Sequence, residues 1–392
     1  MRWRSSLSEA SNLVRAIEEC VEQLDDPAGR PDLALVFVSA AFRGQFSELP
    51  AHLIRNLDVG HLIGCSGGGI IGNGHEVEHS PAVSITAAWL PGVKVQTFQL
   101  QEMEVPDLDG APERWHEWLK VDPADHPCFI LLADPFSFPV EETALGLDYA
   151  YPGQPKVGGL ASDAAFPGGN ALLCDNFLIR TGLVGVALSG PIAMDTVVAQ
   201  GCRPVGQPMV VTGAEKNHVT QLDRTAPLEM LRQLVSQLPA RDRQLAGHSL
   251  FLGIQMDPFK QDCHRGDFLI RNLIGIDHKR GDLVVGARPR VGQTVQFHLR
   301  DRETSAEDLT ELLDRFCATA PAQDAEGALL FSCLGRGDYL YGEPDHDCRL
   351  FRRRVGDIPI GGFFCNGEIG PVGGTTYLHG YTSCFGVFRP LA

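Results

Sequence analysis

Two strings in one short segment hold the residue types of catalysis. Residues 64–68, Gly-Cys-Ser-Gly-Gly, fit Gly-x-Ser-x-Gly, the turn that exposes a serine nucleophile at the end of a strand. Residues 75–79, His-Glu-Val-Glu-His, fit His-Glu-x-x-His, which on a helix sets two imidazoles on one face for zinc and leaves the glutamate to act on zinc-bound water. Each motif needs a frame that this segment does not supply. A nucleophile elbow runs on into a helix, but five of the eight residues from Gly67 to Gly74 are glycine, and each costs a helix about 1 kcal/mol against alanine. The histidine motif is boxed between Gly72-Asn73-Gly74 and Ser80-Pro81, too short a span for a zinc helix, and is expected to form a solvated acidic edge. His218 and His379 sit in no pattern that pairs them with Ser66, and Cys65 is expected to be a buried small hydrophobe rather than a thiolate. Clustered glycines do allow a backbone to approach a ligand closely, with consecutive N–H groups forming a nest for an anion.

The elements that would carry this loop read as a mixed α/β chain. Apolar residues at Ala10, Leu13, Val14, Ile17, Val21 and Leu24 share a helical face, with Ser6 and Glu9 at capping-box spacing, so an amphipathic helix is expected to open the chain within residues 1–30. Residues 32–42 and 58–66 read as strands around a helix. Further strands are predicted at 82–90, 93–101, 128–133 and 177–189, with helices at 113–120 and 139–150. The Gly- and Pro-rich stretch 200–208 breaks the pattern, which sets a domain boundary between 203 and 204. Beyond it come a helix at 226–238, strand-rich text from 249 to 300, a helix at 305–320, and strands at 327–333 and 378–388. The fold class expected is α/β with α+β character: two related domains, 31–203 and 204–392, each a mixed sheet with packed helices. Shifted by 299 residues, Gly68, Ile70 and Ser84 fall on Gly367, Ile369 and Ser383, an echo that suggests two halves, each presenting a glycine turn.

Composition excludes several classes of partner. Among 392 residues, 33 Lys and Arg stand against 49 Asp and Glu, a net charge of −16, and Arg352-Arg353-Arg354 is the densest basic cluster. Nucleic acid and membrane are therefore not expected as partners. The eleven cysteines contain no CxxC pair and frame neither a disulfide scaffold nor a zinc knuckle. With no signal-peptide core and no apolar run of about 18 residues, the expected environment is cytoplasmic.

The C-terminal run Gly361–Pro390, with its Gly-Glu-Ile-Gly turn at 367–370, resembles the signature that ends the FIST domain, and Leu62–Gly72 is similar to the family's N-terminal Gly-Cys-Ser turn. Residues 156–163, 210–223, 267–277 and 329–337 match further family blocks in the family's order. The resemblance implies a sensory module of signal transduction that binds a small molecule, amino acids among the proposed ligands, and signals through a partner protein. It departs from longer relatives in showing no F-box before residue 31 and no output segment, and in carrying Gly69 where many relatives have Glu.

For a free amino acid the needs are a cation or N–H nest for the carboxylate, an acid for the ammonium and a shaped pocket. Arg271 and Arg336 are candidate cations, Glu368 and Asp163 candidate acids. Cys65, Ser66, Gly67, Gly68, Cys333, Asn366 and Gly367 complete the expected lining. His264, Asp345, His346 and Cys348 read as solvated surface, and neither a metal nor a cofactor is expected. No catalytic residue is assigned. The alternatives are a hydrolase using Ser66 or Cys65, and an interaction scaffold whose glycine turns are only structural.

Overall fold

The computed structural model describes residues 1–24, 29–319 and 322–391, so part of the region expected to hold the opening helix lies outside the described residues. It divides into two compact units, Met1–Val198 with Thr310–Ala392, and Ala199–Leu309. Among the described residues, no helix is long and apolar enough to cross a membrane.

The first unit is built from three copies of one module. Module one runs β1 (Arg2–Ser8), α1 (Leu13–Leu24), β2 (Leu33–Ser39), α2 (Leu49–Asn56), β3 (His61–Gly67), the hairpin β4 (Gly69–Gly72) and β5 (His75–Val77), and β6 (Val83–Trp89). Module two repeats the order with β7 (Lys94–Leu100), α3 (Glu113–Leu119), β8 (Cys128–Ala133), α4 (Val140–Ala150), β9 (Lys156–Leu160), the hairpin β10 (Leu172–Cys174) and β11 (Phe177–Ile179), and β12 (Leu183–Ser189). Module three begins with β13 (Ile192–Ala199) and is then interrupted. The second unit follows as a closed barrel of β14 (Cys202–Glu215), β15 (His218–Leu222), β16 (Leu250–Gln255), β17 (Phe268–Asp277), β18 (Asp282–Val285) and β19 (Thr294–Arg300), with α5 (Pro227–Gln237) and α6 (Ala240–Ala246) between β15 and β16. Helix α7 (Arg302–Thr319) carries the chain back, and module three resumes with β20 (Gly327–Cys333), α8 (Gly337–Tyr341), α9 (His346–Arg354), β21 (Ile360–Cys365), the hairpin β22 (Glu368–Val372) and β23 (Thr375–His379), and β24 (Ser383–Pro390).

Each module makes a parallel pair across a helical crossover and returns an antiparallel strand: β2 pairs with β3 and β6, β8 with β9 and β12, β20 with β21 and β24. Each then gives its hairpin away. The three sheets read β1-β6-β2-β3-β10-β11, β7-β12-β8-β9-β22-β23 and β13-β24-β20-β21-β4-β5, so every sheet is completed by another module's hairpin and the exchange closes into a ring. One shared core holds Leu35 and Phe37 of the first sheet, Ile130 and Val157 of the second, and Phe331 and Phe363 of the third. Phe37 stacks on Phe363 with centroids 5.0 Å apart, and Trp3 on Phe388 at 4.4 Å. Helices lie on the other faces: α1 and α2 over the first sheet, α3 and α4 over the second, and Phe351 of α9 stacked on Phe385 of the third at 4.8 Å.

A glycine marks the same ladder position in all three modules. Gly64 lies opposite Val36, Gly158 opposite Leu131 and Gly362 opposite Leu330, and a Cβ at any of them would run into that neighbour's carbonyl oxygen. The exchanged hairpins meet these glycines through Leu173, Ile369 and Ile71 respectively.

Several sequence expectations change. The mixed sheets with packed helices are present as expected, and the internal repetition inside the first unit is of one module three times. Structural equivalence pairs Gly64 with Gly362 and Ile71 with Ile369, a shift of 298, and Ile85 with Phe385, a shift of 300, so the three identities at 299 each miss by one residue. Residues 2–8 are not helical but an edge strand along β6, and the helix starts at Leu13, where Asn12 Oδ1 accepts from Arg15 N–H at 3.0 Å. The stretch 200–208 is not a break: β14 passes through it, its pairing with β19 shifting register between Val205 and Met209. The expected strand at 177–189 divides into β11 and β12, and that at 378–388 into the end of β23 and β24.

Candidate functional site

The C-terminal ends of β3, β9 and β21 meet, and just beyond them Gly68, Ser162 and Asn366 occupy the same place, four residues past the three ladder glycines. The backbone links them in a ring. Ser162 N–H donates to Ser66 C=O at 3.3 Å, and Asn366 N–H to Leu160 C=O at 3.1 Å. The third edge, from Gly68 N–H to Phe364 C=O, is held open by a hydroxyl: Gly68 N–H donates to Ser162 Oγ at 2.9 Å, and Ser162 Oγ–H donates to Phe364 C=O. The two glycine turns read from the sequence therefore belong to one assembly, with a third turn, Ala161-Ser162-Asp163, between them. Ends of parallel strands are where open α/β sheets place their ligands.

At this ring Asn366 is exposed, Gly68 is half-buried, and Leu334, 40% exposed, sits where a Gly68 Cβ would come within 2.6 Å of its Cδ2. Asp163 accepts from Arg43 Nε and Nη2 at 3.0 Å each, and Arg43 lies over the ring of Phe166 at 5.8 Å. An acid and a cation thus stand side by side at the third turn. Arg43 carried no motif, and only the matches of residues 156–163 and 329–337 to family blocks pointed toward Ser162 and Leu334.

The remaining predicted lining is interior. Cys65 and Ser66 are each 1% exposed, burial drives the Cys65 thiol well above its usual range, and Ser66 Oγ accepts from Ala171 N–H at 2.9 Å. After β3 comes a strand rather than a helix, so the elbow that a hydrolase would need is absent at Ser66. Gly67 is buried; a Cβ at Gly367 would come within 3.0 Å of both Leu160 and Leu378. Glu368 is fully buried, its Oε2 accepting from Thr382 N–H at 3.1 Å, at the ladder position that Ile70 and Leu172 fill in the other modules. Cys333 is half-buried at the end of β20. Arg271 belongs to the barrel unit, half-buried on β17 opposite Leu252.

Arg336 does not reach solvent. It is fully buried and spans Asp347 with Nε to Oδ2 at 2.8 Å and Nη2 to Oδ1 at 3.2 Å, while Nη2 also donates to Tyr341 Oη at 2.5 Å. Burial pushes the Asp347 carboxyl up, but the Arg336 charge and the His346 hydrogen bond outweigh it and hold Asp347 below the usual carboxylate range. Ser383 Oγ–H also donates to Asp347. The segment expected to be a solvated acidic edge borders this network: His75 and His79 are exposed, but Glu76 is 6% exposed and accepts from Cys348 N–H at 2.7 Å. Cys348, expected at the surface with Asp345 and His346, is fully buried, and Asp345 and His346 are half-buried, because α9 lays this stretch against β5 and β24; His264 remains exposed.

In the barrel unit, His218, Asp277 and Asp282 bring ligand atoms within 4.8 Å of one another. Arg280 Nε already lies 2.9 Å from Asp282 Oδ2 and Nη2 2.8 Å from Glu215 Oε2, so a guanidinium supplies the positive charge there.

Comparison with known proteins gives two domain matches whose boundary falls inside the barrel unit. The chain matches the FIST N domain over residues 32–225 and the FIST C domain over 227–371. It is 36% identical to an uncharacterised protein of Mycobacterium tuberculosis over 99% of this chain and all of that one, and 35% identical to an uncharacterised protein of Mycobacterium bovis over 95% of each. An F-box/LRR-repeat protein of Arabidopsis thaliana shares 32% identity over 91 residues, 22% of this chain and 17% of its own length. Two adjoining domain matches that together span most of the chain, with relatives alike over their whole length, place this protein in the FIST family, whose domains are associated with sensing in signal transduction.

Proposed function

We propose that this chain is a sensor of a small metabolite, an amino acid being the favoured class, which binds at the ring of strand ends and signals through a partner protein. The observation that carries the reading is the ring itself: one end of the first unit joins Gly68, Ser162 and Asn366 into a single backbone assembly, with an exposed side-chain amide on it. Beside it the covered Asp163 carboxylate holds Arg43, whose guanidinium stays exposed and complements the carboxylate of a zwitterion. Backbone N–H groups and a carboxamide can fix orientation while the half-exposed Leu334 and the exposed Phe166 supply apolar surface.

The test is a thermal-shift screen of the purified chain against the amino acids and common cytoplasmic metabolites. A ligand at 100 times its Kd stabilises by roughly 2.7 kcal/mol, which is expected to raise Tm by about 5 °C. Asn366→Ala and Asp163→Asn are each expected to weaken the shift at least tenfold in ligand concentration. A shift that both variants keep unchanged places the ligand elsewhere, and a panel with no shift favours a scaffold that binds protein alone.

A further inference from the structure

The three exchanged hairpins dock in the same way, and at one equivalent position they differ in kind. Opposite the strand residues Ile71, Leu173 and Ile369 stand Glu76, Leu178 and Leu378. Both leucines lie half-buried against the helix-side cores of the sheets that receive them. Glu76 is buried to 6% exposure where an apolar side chain serves elsewhere. Its Oε1 accepts from Cys348 N–H, but its Oε2 has no hydrogen-bond partner among the described residues. An orphaned carboxylate oxygen in the interior is costly, and a leucine would avoid the cost.

The surroundings set which form of Glu76 fits. From α9 it faces Asp347, Asp345 and Cys348, and from α8 Tyr341. Asp345 Oδ1 accepts from Glu76 N–H at 2.6 Å, and its Oδ2 meets His75 Nδ1 at 3.1 Å. Glu78, on the same segment, accepts from Asp338 N–H of α8 at 2.7 Å. The nearby cation, Arg336, is spent on Asp347, which also meets His346 Nδ1 at 3.1 Å. Burial, and then the Asp347 charge, push the Glu76 carboxyl up to about 8. The docked hairpin thus holds a proton that a solvated glutamate loses near 4.5. The same hairpin starts at the ring, since Gly69, the first residue of β4, follows Gly68.

We propose that β4–β5 is a proton-controlled latch: protonated Glu76 seats the hairpin on the third sheet, and loss of that proton releases residues 69–79 and with them the Gly68 corner of the ring. The latch responds to pH whether or not a metabolite binds, so its test is independent of the ligand.

Hydrogen–deuterium exchange of the full-length protein at pH 6, 7 and 8, corrected for the intrinsic exchange rate, reads the opening of residues 69–79, with β8 as the internal control. In the native protein the opening constant is expected to rise about tenfold per pH unit, the signature of one proton lost on release. Glu76→Gln keeps the shape and removes the titration, and Glu76→Leu copies the sister hairpins. Both are expected to keep the segment closed with no pH slope, and β8 to show none in any of the proteins. A flat profile in the native protein overturns the latch, and so does a slope that survives in whichever variant folds, because the proton would then belong to another group.

Discussion

Ser162 is where the ring departs from threefold symmetry. Two edges close directly through backbone, and the third closes through its hydroxyl, which accepts from Gly68 N–H and donates to Phe364 C=O. Ser162→Ala leaves a donor and an acceptor facing each other too far apart to bond, an omission that costs about 1–3 kcal/mol where water is excluded. The urea midpoint is expected to fall accordingly, and exchange at the Gly68 amide to quicken; an unchanged midpoint and amide would mean that water fills the gap without loss. Legibility at this scale followed motif strength. Gly68, Asn366 and Glu368 sat in glycine-rich text that demands close backbone approach, but Ser162 is an ordinary residue whose partners come from strands about one hundred and two hundred residues away in sequence.

Among the elements, strands buried on both faces declared themselves. Residues 33–38 form an unbroken apolar run, and every residue of β2 is buried. Edge strands did not. Residues 2–8 offer only Trp3 and Leu7 as large apolar side chains, and they become a strand because β6 presents a free ladder, a fact written elsewhere in the chain. The hairpin exchange was equally hidden, because the text of a hairpin fixes its own turn and not the sheet that receives it. The ladder glycines were visible as glycines but not as one repeated position. Their role predicts that Gly158→Ala, which sets a methyl against the Leu131 carbonyl where φ is +158°, destabilises by about 3 kcal/mol or more. The same substitution at Gly153, which has no neighbour within 4 Å but a φ of +73°, is expected to cost about 1 kcal/mol. Equal losses in urea melts of the two variants would show that backbone strain and not the carbonyl contact is what these glycines relieve.

At the scale of the molecule, the two compact units should answer acid in opposite senses. In the barrel unit His298 is buried against Phe268, with ring centroids 5.0 Å apart, and burial lowers its pKa from 6.5 to about 4. Its folded form excludes a proton that the unfolded chain takes up, so that unit loses stability as pH falls from 6.5 toward 4. Glu76 in the first unit is raised, so its stabilising share is complete below 4.5 and is lost as pH rises toward 8, by about 1.4 kcal/mol per unit. Asp347, held low, contributes stability that is lost only as pH falls below 3.8. Calorimetry between pH 4.5 and 6.5 is expected to show one transition climbing and one falling as pH rises, with Glu76→Gln flattening the second. Two transitions moving together would show that other groups dominate.

The exchange of hairpins also sets a timetable for the growing chain. Ile71 of β4 finds its partner at Gly362, 291 residues later. At 5–20 residues per second a ribosome needs roughly 15–60 s to make that stretch, and the barrel is synthesised within the same interval. Until then an apolar hairpin waits with one edge unpaired, an invitation to self-association that chaperones exist to cover. The first third of this protein is therefore committed to a partner strand that is made much later, and the first unit is complete only when that strand has emerged and the third sheet closes the circle.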